Sequence, residues 1–122
     1  MMLFLTNRFL PISVNVMAFE VVWHPFASID FEEVMEYVCQ NFGWAASKKL
    51  YDDVLERINV LSGFPKLGVQ FKGITYQGNE IRILNIHQNA IVYAVGEQRI
   101  TIIVFWNNHQ NPVRLAKLID SR

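Results

Sequence analysis

The stretch Glu80–Pro112, EIRILNIHQNAIVYAVGEQRITIIVFWNNHQNP, limits what this chain can fold into more than any other part of it. Three apolar runs rich in β-branched and aromatic residues are separated by two short polar breaks, Gln88-Asn89 with Ala90, and Gly96-Glu97-Gln98. Such residues suit a pleated, half-buried surface, and Asn and Gly tolerate the positive φ of tight reversals. The stretch predicts an antiparallel meander of three strands, which the rest of the chain must cover or extend.

A chain of 122 residues fits one domain with a real core. Its 52% apolar and 13% aromatic content argues against disorder. The zero net charge argues against global capture of nucleic acid. The charge is unevenly spread, however: Glu20–Phe64 holds eight acids and three bases, Pro65–Arg122 seven bases and three acids. The second half is therefore expected to present a basic face. The single Cys39 cannot form an internal disulfide. Its apolar helical surroundings predict a packed thiol and a reducing compartment.

Residues 1–16 are apolar but short and are interrupted by Arg8 and Pro11, a poor fit to a signal peptide or a membrane span. They are expected to be an N-terminal arm ahead of a single domain, 17–122, with Met17-Ala18 resembling a true start. Phe19–Trp23 reads as a strand that His24-Pro25 ends. Phe31, Val34, Met35, Val38 and Phe42 then recur at helical spacing, with Ser28 or Asp30 as the expected cap and acids in the first turn. Gly43 breaks this helix from a second, about Ala45 to Leu61, whose stripe is Leu50, Tyr51, Val54, Leu55, Ile58 and Leu61. The pair makes an antiparallel hairpin that must bury its stripes on the sheet. After a turn at Pro65–Gly68, Val69–Tyr76 reads as an edge strand weakened by Gly73, and Gly78 and Asn79 turn the chain into the meander. A short helix, Val113–Asp120, closes the chain. The fold class is α+β: an N-terminal strand, an antiparallel helical hairpin packed on a twisted, mainly antiparallel β-sheet, and a short C-terminal helix.

No GxGxxG, P-loop, CxxC or HExxH is present. His24, His87 and His109 lack ligand spacing, so no metal or cofactor is expected. The chemistry that remains is a few polar residues on or beside the sheet. Arg82, inside the apolar run EIRILNI, is either a solvated or salt-bridged strand residue or a planar fork for phosphate. Tyr93 is either a core aromatic with a wet tip or a platform for a base. His109, among Asn107, Asn108, Gln110 and Asn111, is either loop surface or a general acid–base. Lys66, Lys72 and Arg99 are solubilising charges or contacts to nucleic-acid phosphates.

In this order and at these spacings, the strand ending in WHPFA, the FEEVMEYV helix, LSGFPKLG, IRIL, AIVYAV, ITIIVFW and HQNP resemble the RelE/ParE toxin superfamily of type II toxin–antitoxin modules. The resemblance covers about Met17 to Ile119. It implies the α+β fold above and a cytoplasmic bacterial protein, without a membrane partner, neutralised by a cognate antitoxin. A homodimer or a hetero-oligomer with that antitoxin is the implied assembly. RelE-like members cut mRNA on the ribosome, and ParE-like members inhibit DNA gyrase without a known hydrolytic site. Arg82 matches the strand arginine of many members, and Tyr93 matches the last tyrosine of the y-x-I-x-Y pattern, whose first aromatic is Asn89 here. His109 stands where many relatives carry Arg in an R-Q-x-P ending, so a titratable group replaces a permanent cation. Three readings follow: a ribosome-dependent endoribonuclease using Arg82, Tyr93 and His109; a non-enzymatic, ParE-like gyrase inhibitor; and a degenerate member that only binds antitoxin.

Overall fold

His24-Pro25 sets the boundary between the first strand and the first helix. Proline has no N–H to give a ladder, but its fixed φ suits the first helical turn. The computed structural model describes residues 18–122. The expected arm over 1–16, and Met17, lie outside the described residues. In chain order the elements are β1 (Glu20–Trp23), α1 (Pro25–Phe42), α2 (Trp44–Gly63), β2 (Val69–Tyr76), β3 (Asn79–Ile86), β4 (Asn89–Val95), β5 (Arg99–Asn107) and α3 (Val113–Ser121). The strands form one sheet in the order β1-β5-β4-β3-β2. β2 to β5 are the antiparallel meander, and β1 adds a parallel edge to β5. The α+β class is the one expected. Among the described residues no helix is long and apolar enough to cross a membrane.

The sheet is covered on both faces, which explains the unbroken apolar run IVYAV. Ile91 and Tyr93 of β4 pack with Val54, Ile58 and Leu61 of α2. Ala90, Val92 and Ala94, on the opposite face, share a second core with Leu115 and Ile119 of α3. The spacing of Leu50, Val54, Ile58 and Leu61 keeps all four on one helical stripe. Burying each such side chain contributes about 1.5–3 kcal/mol, which an isolated helix of this length lacks.

Four local expectations are corrected. α1 is capped by His24, whose Nδ1 accepts from the Phe26 N–H at 3.0 Å, and not by Ser28 or Asp30. Its first turn holds no acid, because the helix begins at Pro25 and the acids begin at Asp30. Cys39 is exposed rather than packed, since it sits beside Val38 and off the stripe that faces the sheet. Phe42, assigned to that stripe, is 68% exposed at the hairpin tip. The turns also shift by one residue. Gln77 and His87 take positive φ, 51° and 56°, so Asn79 and Asn89 already pair within strands. The expected edge strand is observed: β2 is outermost, and its register shifts between Gln70 and Thr75, around Gly73 at φ +91°.

β1 is too short to cover β5. It pairs only as far as Ile102, and side chains take over from there. Arg122 Nη1 donates to the Ile103 carbonyl at 2.9 Å, and Asp30 Oδ2 accepts from the Phe105 N–H at 3.1 Å. Asp30 and Arg122 also form a two-pronged ion pair at 2.6 and 3.0 Å. Because His24 Nδ1 accepts the cap bond, its Nε2 carries the proton and donates to the main-chain oxygen of Arg122 at 3.2 Å. The pair thus ties α1, α3 and the open edge of β5 together. Asp30→Ala should cost about 3–5 kcal/mol, because it leaves a buried guanidinium unpaired. Urea unfolding should show that Asp30→Ala with Arg122→Met costs less than Asp30→Ala alone.

Candidate functional site

Arg82 and Tyr93 are direct partners across β3 and β4, and strand alternation aims both toward the helical hairpin. There they meet the turn that carries the chain from α2 into β2. The Tyr93 side chain is fully buried. Its hydroxyl donates to the Pro65 carbonyl at 2.7 Å and accepts from the Gly68 N–H at 2.8 Å. Arg82 Nη1 donates to the Gly68 carbonyl at 2.7 Å and to the Lys66 carbonyl at 3.2 Å, while Nε donates to Glu80. Glu80 and Arg82 lie two residues apart on one strand, so they share a face and the carboxylate reaches the guanidinium directly. Arg82 and Glu80 retain only 15% and 29% side-chain exposure. Gly68 is required by the closeness of this contact: a Cβ there would lie 2.8 Å from both the Tyr93 hydroxyl and the Ile83 carbonyl oxygen. Burial pushes the Tyr93 phenol above its ordinary value, opposed by the Gly68 hydrogen bond and the Arg82 charge.

The other expected residues do not join this pair. His109 lies past β5, and its Nε2 meets Gln88 Oε1 at 3.1 Å. Four residues of extended strand, about 13 Å, separate Arg82 from Ile86, where the turn bearing Gln88 begins. Lys66 and Lys72 are exposed, on the turn and on the β2 edge. Arg99 starts β5 and pairs with Glu20 of β1 at 3.1 Å, three strand spacings or about 14 Å from β2. Of the seven bases in the second half, Arg82, Arg99 and Arg122 each pair with an acid, Glu80, Glu20 and Asp30, while Lys66, Lys72, Arg114 and Lys117 are exposed. The three histidines are separate: His24 caps α1, His87 pairs with Asp53 at 2.9 Å, and His109 faces Gln88. The His87 and Lys49 contacts hold the Asp53 carboxyl below its ordinary value. Among the described residues no three His, Cys, Asp or Glu side chains gather as a metal site.

A groove of about 350 Å³ opens between α1 and the polar end of the meander, with His109 on its wall. Val34, Val38 and Phe105 form its apolar part, and Gln88, Asn89, Asn107 and Gln110 supply amides. Glu33, Tyr37 and Phe42 line the helical side. Sequence reading missed this groove. The available signal was that two polar tracts, Gln88-Asn89 and Asn107–Asn111, must meet once β4 and β5 pair, as Asn89 does with Asn107. The arrangement offers hydrogen-bonding and apolar contact, with no Lys or Arg among its lining residues.

The fold matches a solved chain described as "Chromosomal ParDE TA system from P. aeruginosa", with a TM-score of 0.60 and 16% identity, covering 75% of this chain and 97% of that one. No family model and no curated protein matches the sequence. The likeness carries the fold that the RelE/ParE resemblance implied.

Tyr93→Phe leaves the Gly68 N–H and the Pro65 carbonyl short of a buried partner and should cost about 1–3 kcal/mol in urea unfolding. The folded chain keeps the phenol neutral to a higher pH than the unfolded chain does. Its contribution is therefore whole below the unfolded value near ~10 and is lost as pH rises through the higher folded value. The stability gap between wild type and Tyr93→Phe should accordingly narrow in strongly alkaline buffer and stay constant between neutral pH and the onset of that titration.

Proposed function

We propose that this chain is the toxin of a type II toxin–antitoxin module, and that it acts by occupying its target rather than by cutting RNA. The shared fold with a ParDE-system chain supports the toxin class. The observation that carries the binding mode is the engagement of Arg82 with Glu80 and with the Lys66 and Gly68 carbonyls. A nuclease needs a cation free for the scissile phosphate, and the strand arginine is the residue that the RelE resemblance offers for it. Here its Nε and Nη1 already serve the chain's own acceptors, and the neighbouring Tyr93 hydroxyl is buried and doubly bonded. His109 keeps a titratable ring, but proton transfer alone supplies about 10²–10⁴-fold. Charge stabilisation is usually the larger share, and no arginine or lysine lines the groove to provide it.

In the ParE-like reading the target is DNA gyrase and the partner is a cognate antitoxin. Induced expression should arrest growth, with gyrase-linked DNA breaks and intact message, and His109→Ala should leave the arrest unchanged. Message cut on the ribosome in a translating extract, and spared by His109→Ala, would instead establish the ribosome-dependent endoribonuclease. Expression without growth arrest would leave a member that only binds antitoxin.

A further inference from the structure

The groove between α1 and the end of the meander lies apart from the turn held by Arg82 and Tyr93, and the carboxylates Asp30 and Glu33 line it without any Lys or Arg. α1 carries Asp30, Glu32, Glu33 and Glu36 and no Lys or Arg. Arg122 neutralises Asp30, so the free negative charge is Glu33 on the groove wall, with Glu32 and Glu36 exposed beside it. Tyr37 and Phe42 meet edge-to-face at 6.4 Å and remain 60% and 68% exposed, large apolar surface at the mouth of the groove. Aromatic faces next to carboxylates attract cations, and the Gln88, Asn107 and Gln110 side-chain N–H groups can donate to peptide carbonyls, their oxygens being engaged by the His109 ring, the His109 N–H and Arg114. A nucleic acid has the wrong chemistry, since no Lys or Arg lines the groove and Glu33 repels phosphate.

We propose that this groove docks a peptide segment of a partner protein in which cationic and aliphatic side chains alternate. The cation lies against Glu33 and the Tyr37–Phe42 rings, and the aliphatic side chains fill the space over Val34, Val38 and Phe105. The volume of about 350 Å³ admits a few side chains and not a whole helix. The segment belongs to the neutralising partner of the proposed module, so its owner, though not its chemistry, rests on that reading.

The test is fluorescence anisotropy of the full chain with a labelled twelve-residue peptide of alternating Arg and Leu. A Glu/Leu peptide and a twelve-nucleotide single-stranded RNA are the competing probes. The Arg/Leu peptide should bind best. Its affinity should fall about tenfold in Glu33→Lys and in Phe42→Ser, the scale of a lost charge contact or aromatic anchor, and stay unchanged in Lys72→Ala. Both groove substitutions alter exposed side chains, so the fold should persist, which circular dichroism checks. Equal binding of the Glu/Leu peptide or the RNA, no binding of the Arg/Leu peptide, or binding indifferent to both groove variants overturns the proposal. Because the assay does not depend on toxicity, peptide binding by a chain that leaves growth untouched keeps the docking site and removes the toxin. Growth arrest without peptide binding does the reverse.

Discussion

A phenol and a guanidinium, side by side on two central strands, hold the turn through which the helical hairpin re-enters the sheet. The turn between Pro65 and Gly68 lies close over β3, where its backbone groups need partners other than water. Tyr93 meets one carbonyl and one N–H, Arg82 meets two carbonyls, and Glu80 balances the charge. The hydrogen bonds to a charged group are worth about 1.5–3 kcal/mol each. Turning Arg82 toward a bound phosphate would forfeit several of them at once. The contacts that Arg82 makes in the folded chain are structural ones.

The same economy of side chains closes the other side of the sheet. β1 covers half of β5, and the Asp30–Arg122 pair satisfies the Phe105 N–H and the Ile103 carbonyl where the strand stops. Arg122, like Arg82, thereby becomes structural, and the exposed bases of the C-terminal half do not line the groove, where an acidic, aromatic helix faces a wall of amides.

Much of the architecture was legible because it follows from periodicity. β-branched runs gave the strands, the spacing of Leu50, Val54, Ile58 and Leu61 gave α2, and His24-Pro25 gave the first boundary. The turns were misplaced by one residue because Gln77 and His87 adopt positive φ without being glycine or asparagine. Asp30 looked like a cap because acids favour first turns, but its partner Arg122 lies 92 residues away, beyond any local rule. Cys39 and Phe42 followed an apolar pattern that α1 does not keep, since both are exposed, off the stripe that meets the core. For Arg82 the two readings could not be separated locally. Glu80 at the second position before it hinted at a pair, while the carbonyls of Lys66 and Gly68 reach it only through the fold.

The role of Arg82 and Tyr93 as a turn clamp is tested most directly by native-state hydrogen exchange at the Gly68 amide. If the clamp holds, this turn amide exchanges as slowly as those of Val92 and Ile103, opening only when the whole domain unfolds. Exchange at the rate of a solvated loop would mean that the turn lifts freely from the sheet, and that both side chains are available for other chemistry.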